Sequence, residues 1–240
     1  NKIIDSLLAS GIEPWITLYH WDLPHALEVK GGWTNRESVA WFTDYVEVCV
    51  QHFGDRVKNW MVINEPSVFT GAGYFLGIHA PGRKGITNYL KAMHHVTLAT
   101  AAGAKIIRSK VQNANIGTTF SCSEIIPNTQ SDSDILTAKR VDCLMNRLFV
   151  EPTLGMGFPT ADWDLLEKFQ IEYGTWRLQE RMKFDFDFIG LQNYFPLVVK
   201  YNAFIPVIQA WEVKAKSRKK PHTKMGWEIN ADSFYNIIKQ

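Results

Sequence analysis

The chain has 240 residues, 46% hydrophobic and 13% aromatic, enough for a sizeable core in one or two domains. Its 26 basic and 24 acidic side chains leave a net charge of +2, which gives no reason to expect a nucleic-acid partner. No apolar run approaches the roughly 20 residues that a membrane span needs, and three scattered cysteines show no disulfide framework or metal spacing.

The first residues, Asn1 to Asp5, lack the pattern of a signal peptide. Together with free thiols at Cys49, Cys122 and Cys143, this leads us to expect a reducing, cytoplasmic setting. Lys2 to Ala9 places Ile3, Ile4, Leu7 and Leu8 on one helical face, and Gly11 ends it. Ile12 to Tyr19 reads as a strand that runs into His20, Trp21 and Asp22. Gly31-Gly32-Trp33 reads as a turn. Asn35 is placed to cap a helix through about Phe53, with Val39, Phe42, Val46, Cys49, Val50 and Phe53 facing inward.

Trp60 to Asn64 follows as a short strand buried on both faces, because Met61, Val62 and Ile63 are apolar. Pro66 cannot join a ladder, so Asn64 and Glu65 are left at the strand's C-terminal end. A carboxylate and an amide there suggest chemistry in a parallel α/β fold. Pro66 to Thr87 reads as a long glycine-rich loop, and Asn88 as the cap of a helix to about Val111. A third strand is expected over Asn115 to Phe120 and a helix over Ser131 to Phe149. Shorter helices are expected over Asp162 to Phe169 and Thr175 to Met182, and a fourth strand over Phe186 to Gln192. Lys200 to Met225 reads as a loop, and Ala231 to Gln240 as the start of a helix.

Strands alternating with helices predict βαβ units around a parallel sheet, and no linker marks a second domain. A barrel of eight such units takes about 250 residues. Only four strands are legible in a similar length, and the chain opens and stops within helical patterns. The alternatives are a four-stranded open sheet and the middle of a longer barrel.

The ordered motifs carry a resemblance. Ile16 to Pro24, Gly31-Gly32-Trp33, Phe53 to Val57 and Asn64-Glu65-Pro66 resemble glycoside hydrolase family 1. Gly73-Tyr74, Ala80-Pro81-Gly82, Asp187 to Leu191 and Met225 to Glu228 continue it. The resemblance implies an α/β fold, a (β/α)8 barrel of which the strands here are about the third to sixth. Residues 1–240 are then a single partial barrel domain. It also implies that the family's nucleophile motif, of the type Thr-Glu-Asn-Gly, is missing from this chain, so the chain alone is expected to be inactive.

By the same resemblance, Glu65 matches the acid/base of a retaining β-glucosidase, and Asn64 the residue that binds the sugar 2-hydroxyl. His20 and Trp21 match residues that hold the 3-hydroxyl. Tyr194 matches the tyrosine that positions the nucleophile, with Asn193 beside it as a substrate contact. The sequence departs from the usual Gly-x-Asn-Tyr-Tyr: Gln192 stands in for the asparagine, and a one-residue shift moves the tyrosine's place to Phe195. The implied partner is a small-molecule β-glycoside, with no cofactor, metal, nucleic acid or membrane. The bland readings are a core histidine for His20, a solvated loop for Lys214, Lys216, Arg218, Lys219 and Lys220, and no metal at His94-His95. The competing function is a non-catalytic scaffold or carbohydrate-binding member of the same fold. A deliberately isolated half-barrel is a third possibility, expected to associate through unpaired strand edges.

Overall fold

The computed structural model describes residues 2–173 and 179–240. It divides into two units. The first is made of Asn1–Phe120, Phe149–Gly157 and Phe169–Gly190. The second is made of Ser121–Leu148, Phe158–Lys168 and Leu191–Gln240.

The first unit is organised around a short strand that is almost wholly apolar. This is β2 (Asn59–Asn64), where Trp60, Val62 and Ile63 are fully buried. Such a strand needs cover on both faces, which is the condition of a parallel sheet flanked by helices. β1 (Trp15–Tyr19) pairs parallel with it, Trp15 against Asn59 and Tyr19 against Ile63. β3 (Asn115–Ser121) pairs parallel on its other side, Trp60 against Ile116. The register slips between Met61 and Asn64, just where the strand approaches its end. α1 (Lys2–Ala9) precedes β1, and Gly11 takes the left-handed conformation expected of a helix terminator.

α3 (Ser38–Phe53) and α5 (Ile86–Lys110) cover one face of the sheet. Phe42, Val46, Cys49 and Val50 of the expected stripe are buried. Gly103 lets α5 approach closely, since a Cβ there would press on Phe42, Val46 and Val62. The caps differ from expectation. Asn35 accepts from the Glu37 amide in a turn before α3, while Asn88 lies inside α5, which starts after Gly85. Asn and Asp side chains satisfy local turns as readily as helix ends, so spacing alone could not choose.

The expected loop after Glu65 is structured. Residues 66–87 contain α4 (Pro66–Thr70) and a π-helical stretch, Gly71–Leu76. Gly73 is required there because a Cβ would collide with the Ala80 carbonyl. Before that, α2 (His25–Val29) and a single 3₁₀ turn, Gly32–Thr34, lie between β1 and α3.

In the second unit, β4 (Ile125–Pro127) pairs parallel with β6 (Leu197–Tyr201), and β6 antiparallel with β7 (Ala210–Glu212). The expected loop over 200–225 therefore contributes β7 and the end of β6 to a second sheet. Its core is Ala138, Val141 and Val199 with Ile125, Leu197, Ile208 and Ala210. α6 (Asp132–Asp142) supplies Ala138 and Val141, and Ser131, expected as its first residue, caps it instead by accepting from the Asp134 amide. The long helix expected to Phe149 changes to a π-helical stretch over Cys143–Arg147 and then α7 (Leu148–Thr153). α8 (Asp164–Tyr173) and α9 (Gln179–Met182) follow, and the expected helical residues Thr175 to Leu178 lie outside the described residues. β5 (Phe188–Gln192) neighbours β3, giving the order β1-β2-β3-β5. α10 (Asp232–Lys239) closes the chain. The basic run is not wholly solvated, because Arg218 pairs with the buried Glu228.

Among the described residues, no helix is long and apolar enough to cross a membrane. No group of three or more His, Cys, Asp or Glu there could hold a metal ion. Cys49, Cys122 and Cys143 are free and buried.

α5 carries a pH-sensitive pair. His95 Nδ1 lies 2.8 Å from the Trp33 carbonyl, so it donates there, whereas His94 Nδ1 is buried with no hydrogen-bond partner among the described residues. Burial lowers the pKa of both rings, that of His94 from 6.5 to about 3. The unfolded chain then binds protons below pH 6.5 that the folded chain refuses. Stability is full above about 6.5 and falls as pH drops toward about 3. At pH 5.5 His94 alone should cost on the order of 1 kcal/mol. Urea midpoints at pH 7.5 and 5.5 measure it, and His94→Leu should flatten the difference.

Candidate active site

Parallel pairing brings the C-terminal ends of β1 and β2 side by side, and the polar residues expected there follow directly. His20 and Trp21 continue from β1, while Asn64 ends β2 and Glu65 follows it. Asn64 is 7% exposed and Glu65 6%, so both are drawn out of bulk water.

The Asn64 amide is fixed from three sides. Thr119 Oγ1 donates to its Oδ1 at 2.7 Å. The NH₂ is thereby turned to His20 Nε2 at 3.2 Å and Glu65 Oε2 at 3.4 Å. Accepting at Nε2 places the neutral ring's proton on Nδ1. Trp21 Nε1 donates to the Asn64 carbonyl at 3.0 Å. The Glu65 amide donates to the Thr119 carbonyl at 2.9 Å, so β3 holds the backbone under the carboxylate as well.

Two of these residues pay a conformational cost. Trp21 has φ +82° and Glu65 φ +47°, both in a region that side chains with a Cβ rarely adopt. Such outliers cost of order 1–3 kcal/mol each and persist only where neighbours over-determine them. The bonds from Thr119 and to Asn64 are those neighbours. Pro66, at the first position of α4, needs no donor and tolerates the abrupt turn.

A second network braces the loops beside Trp21. Tyr74, on the π-helical stretch, donates from its hydroxyl to Glu28 Oε2 at 3.1 Å and accepts from the Trp33 amide at 3.3 Å. Arg83 donates to Glu28 Oε1 at 2.6 Å, to the Glu28 carbonyl and to Thr34 Oγ1. Trp33 Nε1 donates to the Tyr19 hydroxyl at 3.0 Å. Burial raises the Tyr19 pKa to about 12, so its hydroxyl stays protonated at neutral pH. These groups surround a cavity of about 130 Å³ lined by Trp21, His25, Glu28, Phe69, Tyr74 and Pro81 among others.

Neither Thr119 nor the Glu28–Arg83 pair stood out in the sequence. Thr118 and Thr119 could have been flagged as adjacent polar residues within a strand expected to be buried; in the structure Thr118 Oγ1 also donates to the Ile63 carbonyl. Glu28 and Arg83 lie 55 positions apart, and no spacing rule links them.

The remaining candidates belong to the second unit. Asn193 Nδ2 donates to the Cys122 carbonyl at 2.9 Å. Tyr194 is 56% exposed, and its hydroxyl donates to Gln192 Oε1 at 2.9 Å. Phe195 stacks on Trp227, with ring centroids 5.2 Å apart and planes 21° apart. Tyr194 packs at a tilt on the same indole, 5.4 Å away.

Comparison with known proteins adds three findings. A family model described as Glycosyl hydrolase family 1 matches residues 1–240. Among curated relatives, Beta-glucosidase A of Thermotoga maritima is 38% identical over all of this chain and 53% of its own length. A 6-phospho-beta-glucosidase of Bacillus subtilis is 31% identical over 99% of this chain and 53% of its own. The solved structure of the Thermotoga maritima beta-glucosidase with deoxynojirimycin superposes with a TM-score of 0.90 at 37% identity. It covers 100% of this chain and 53% of that one. The chain thus spans about half the length of the curated relatives it matches.

Proposed function

The chain belongs to glycosyl hydrolase family 1, and from that premise we propose that its full-length protein hydrolyses terminal β-D-glycosides, as a β-glucosidase, with retention at the anomeric carbon. Its βα units are part of the (β/α)8 barrel of that family, to which we assign residues 1–240 as one domain. The single observation that carries the activity is Glu65: a buried carboxyl at the C-terminal end of a barrel strand, contacted by Asn64, with His20 and Trp21 just past the end of the neighbouring strand. Active sites of such barrels lie on that rim.

In this mechanism Glu65 gives a proton to the departing glycosidic oxygen while a second carboxylate attacks the anomeric carbon from the other side. The nucleophile is supplied by a part of the full-length protein beyond these 240 residues, because no Thr-Glu-Asn-Gly motif occurs in them. Glu65, now ionised, then takes a proton from water as the covalent intermediate is cleaved. Asn64 holds the sugar 2-hydroxyl, a bond that tightens as positive charge develops on the ring. His20 and Trp21 hold the 3-hydroxyl, with Trp21 sharing its N–H between the sugar and the Asn64 carbonyl. Tyr194 orients the nucleophile, and Asn193 contributes a substrate contact. Three free, buried thiols support a reducing, cytoplasmic setting.

The full-length protein should cleave an aryl β-glucoside, and proton NMR should detect the β-anomer of glucose first. Release of the α-anomer would replace this mechanism by an inverting one. Absence of any hydrolysis of aryl β-glycosides would overturn the assignment.

A further inference from the structure

α3 and α5 leave a groove between them in the first unit, bounded at one end by α9. Its volume is about 480 Å³, the size of a small-molecule site rather than of a protein interface. Val39, Leu98 and Ala102 supply apolar walls, and three cations open onto it: Arg36, Lys105 and Arg181. All three are exposed.

No carboxylate lines this groove among the described residues, and none of the three cations is paired with one there. Of the acids nearby, Glu47 of α3 pairs with Lys110 and Asp187, just before β5, pairs with Arg108, while Glu37 beside Arg36 and Asp44 of α3 are not among the residues that line the groove. A neighbouring cavity lined by Lys105, Arg108, Lys183, Phe184 and Asp185 differs, because Asp185 and the Arg108–Asp187 pair offset its charge. Among the described residues, the first groove thus gathers three cations over an apolar wall with no carboxylate in its lining.

We propose that this groove binds a small organic diphosphate, its phosphates on Arg36, Lys105 and Arg181 and its apolar portion against Leu98 and Ala102. Three cations match the charge of a nucleoside diphosphate. Guanidinium groups suit phosphate through paired N–H donors. The floor gives the remainder of such a ligand a surface that inorganic phosphate does not use. None of these residues takes part in the proposed glycoside chemistry.

The test uses the full-length protein and metal-free ADP as probe, in isothermal titration at an ionic strength of about 50 mM. The expected result is saturable 1:1 binding that survives saturating deoxynojirimycin. It should weaken at least about tenfold in the triple variant R36Q/K105Q/R181Q, with aryl-glucosidase activity unchanged. Pyrophosphate should bind more weakly than ADP. Raising salt to about 500 mM should weaken ADP binding, a readout on the unaltered protein that holds even if the triple variant fails to fold. No saturable binding, displacement by deoxynojirimycin, equal binding by a folded triple variant, or indifference to salt would each overturn the proposal. Failure here leaves the glycosidase assignment intact, since aryl-glucoside hydrolysis reads that independently.

Discussion

Glu65→Gln in the full-length protein should lower kcat/KM on an alkyl β-glucoside by about 10²–10⁴-fold, the range that a positioned general acid contributes. The substitution is nearly isosteric. A glutamine Oε1 still accepts from the Asn64 amide, so the bond at 3.4 Å and the surrounding packing are kept. What disappears is the transferable proton. The loss should therefore depend on the leaving group. A dinitrophenolate departs without protonation, so the first step on its glucoside should fall by no more than about tenfold. Steady-state rates on both substrates, with a burst measurement on the second, separate the steps. An equal loss on both would make Glu65 a binding residue. Unchanged turnover would remove it from the chemistry altogether.

Trp33→Ala should cost about 3–5 kcal/mol in the same protein, the range for deleting a large buried aromatic side chain. Trp33 is 2% exposed and packs edge-on to Tyr19 at 5.3 Å, with Phe42 and Phe69 also in contact range. Its indole N–H also satisfies the Tyr19 hydroxyl. Total stabilities of about 5–15 kcal/mol leave little margin for such a loss. Trp33→Phe keeps most of the ring contacts and removes the N–H, so it should cost about 1–2 kcal/mol more than a surface change. Because Tyr19 immediately precedes His20 and Trp21, both variants should raise KM for the sugar as well. Urea unfolding gives the stabilities. A Trp33→Ala protein as stable as the parent would show that the aromatic cluster is not what seats the end of β1.

How much of this was legible in the sequence follows the range of the forces involved. β2 was legible because its apolar run and Pro66 act within a few residues of one another. Glu65 was legible for the same reason, standing where the strand must stop. The π-helical stretch Gly71–Leu76 was not, since glycines lower helix propensity and only the Ala80 carbonyl explains why Gly73 is needed. The small sheet of β4, β6 and β7 was missed because strands such as Ala210–Glu212 are too short to show alternation. The bracing of Asn64 by Thr119 and the Glu28–Arg83 pair depend on tertiary proximity that no local pattern encodes. The family motifs located the candidate residues but not the bonds that hold them.

The left-handed backbone at Glu65 constrains what evolution can place there, apart from any question of catalysis. Glycine, asparagine or aspartate could occupy position 65 at little torsional expense, whereas valine or isoleucine would strain the main chain against β3. Under the proposed mechanism, substitution at position 65 is thus filtered twice, by stereochemistry and by proton transfer. The first filter acts on the main chain and holds whatever chemistry the side chain performs.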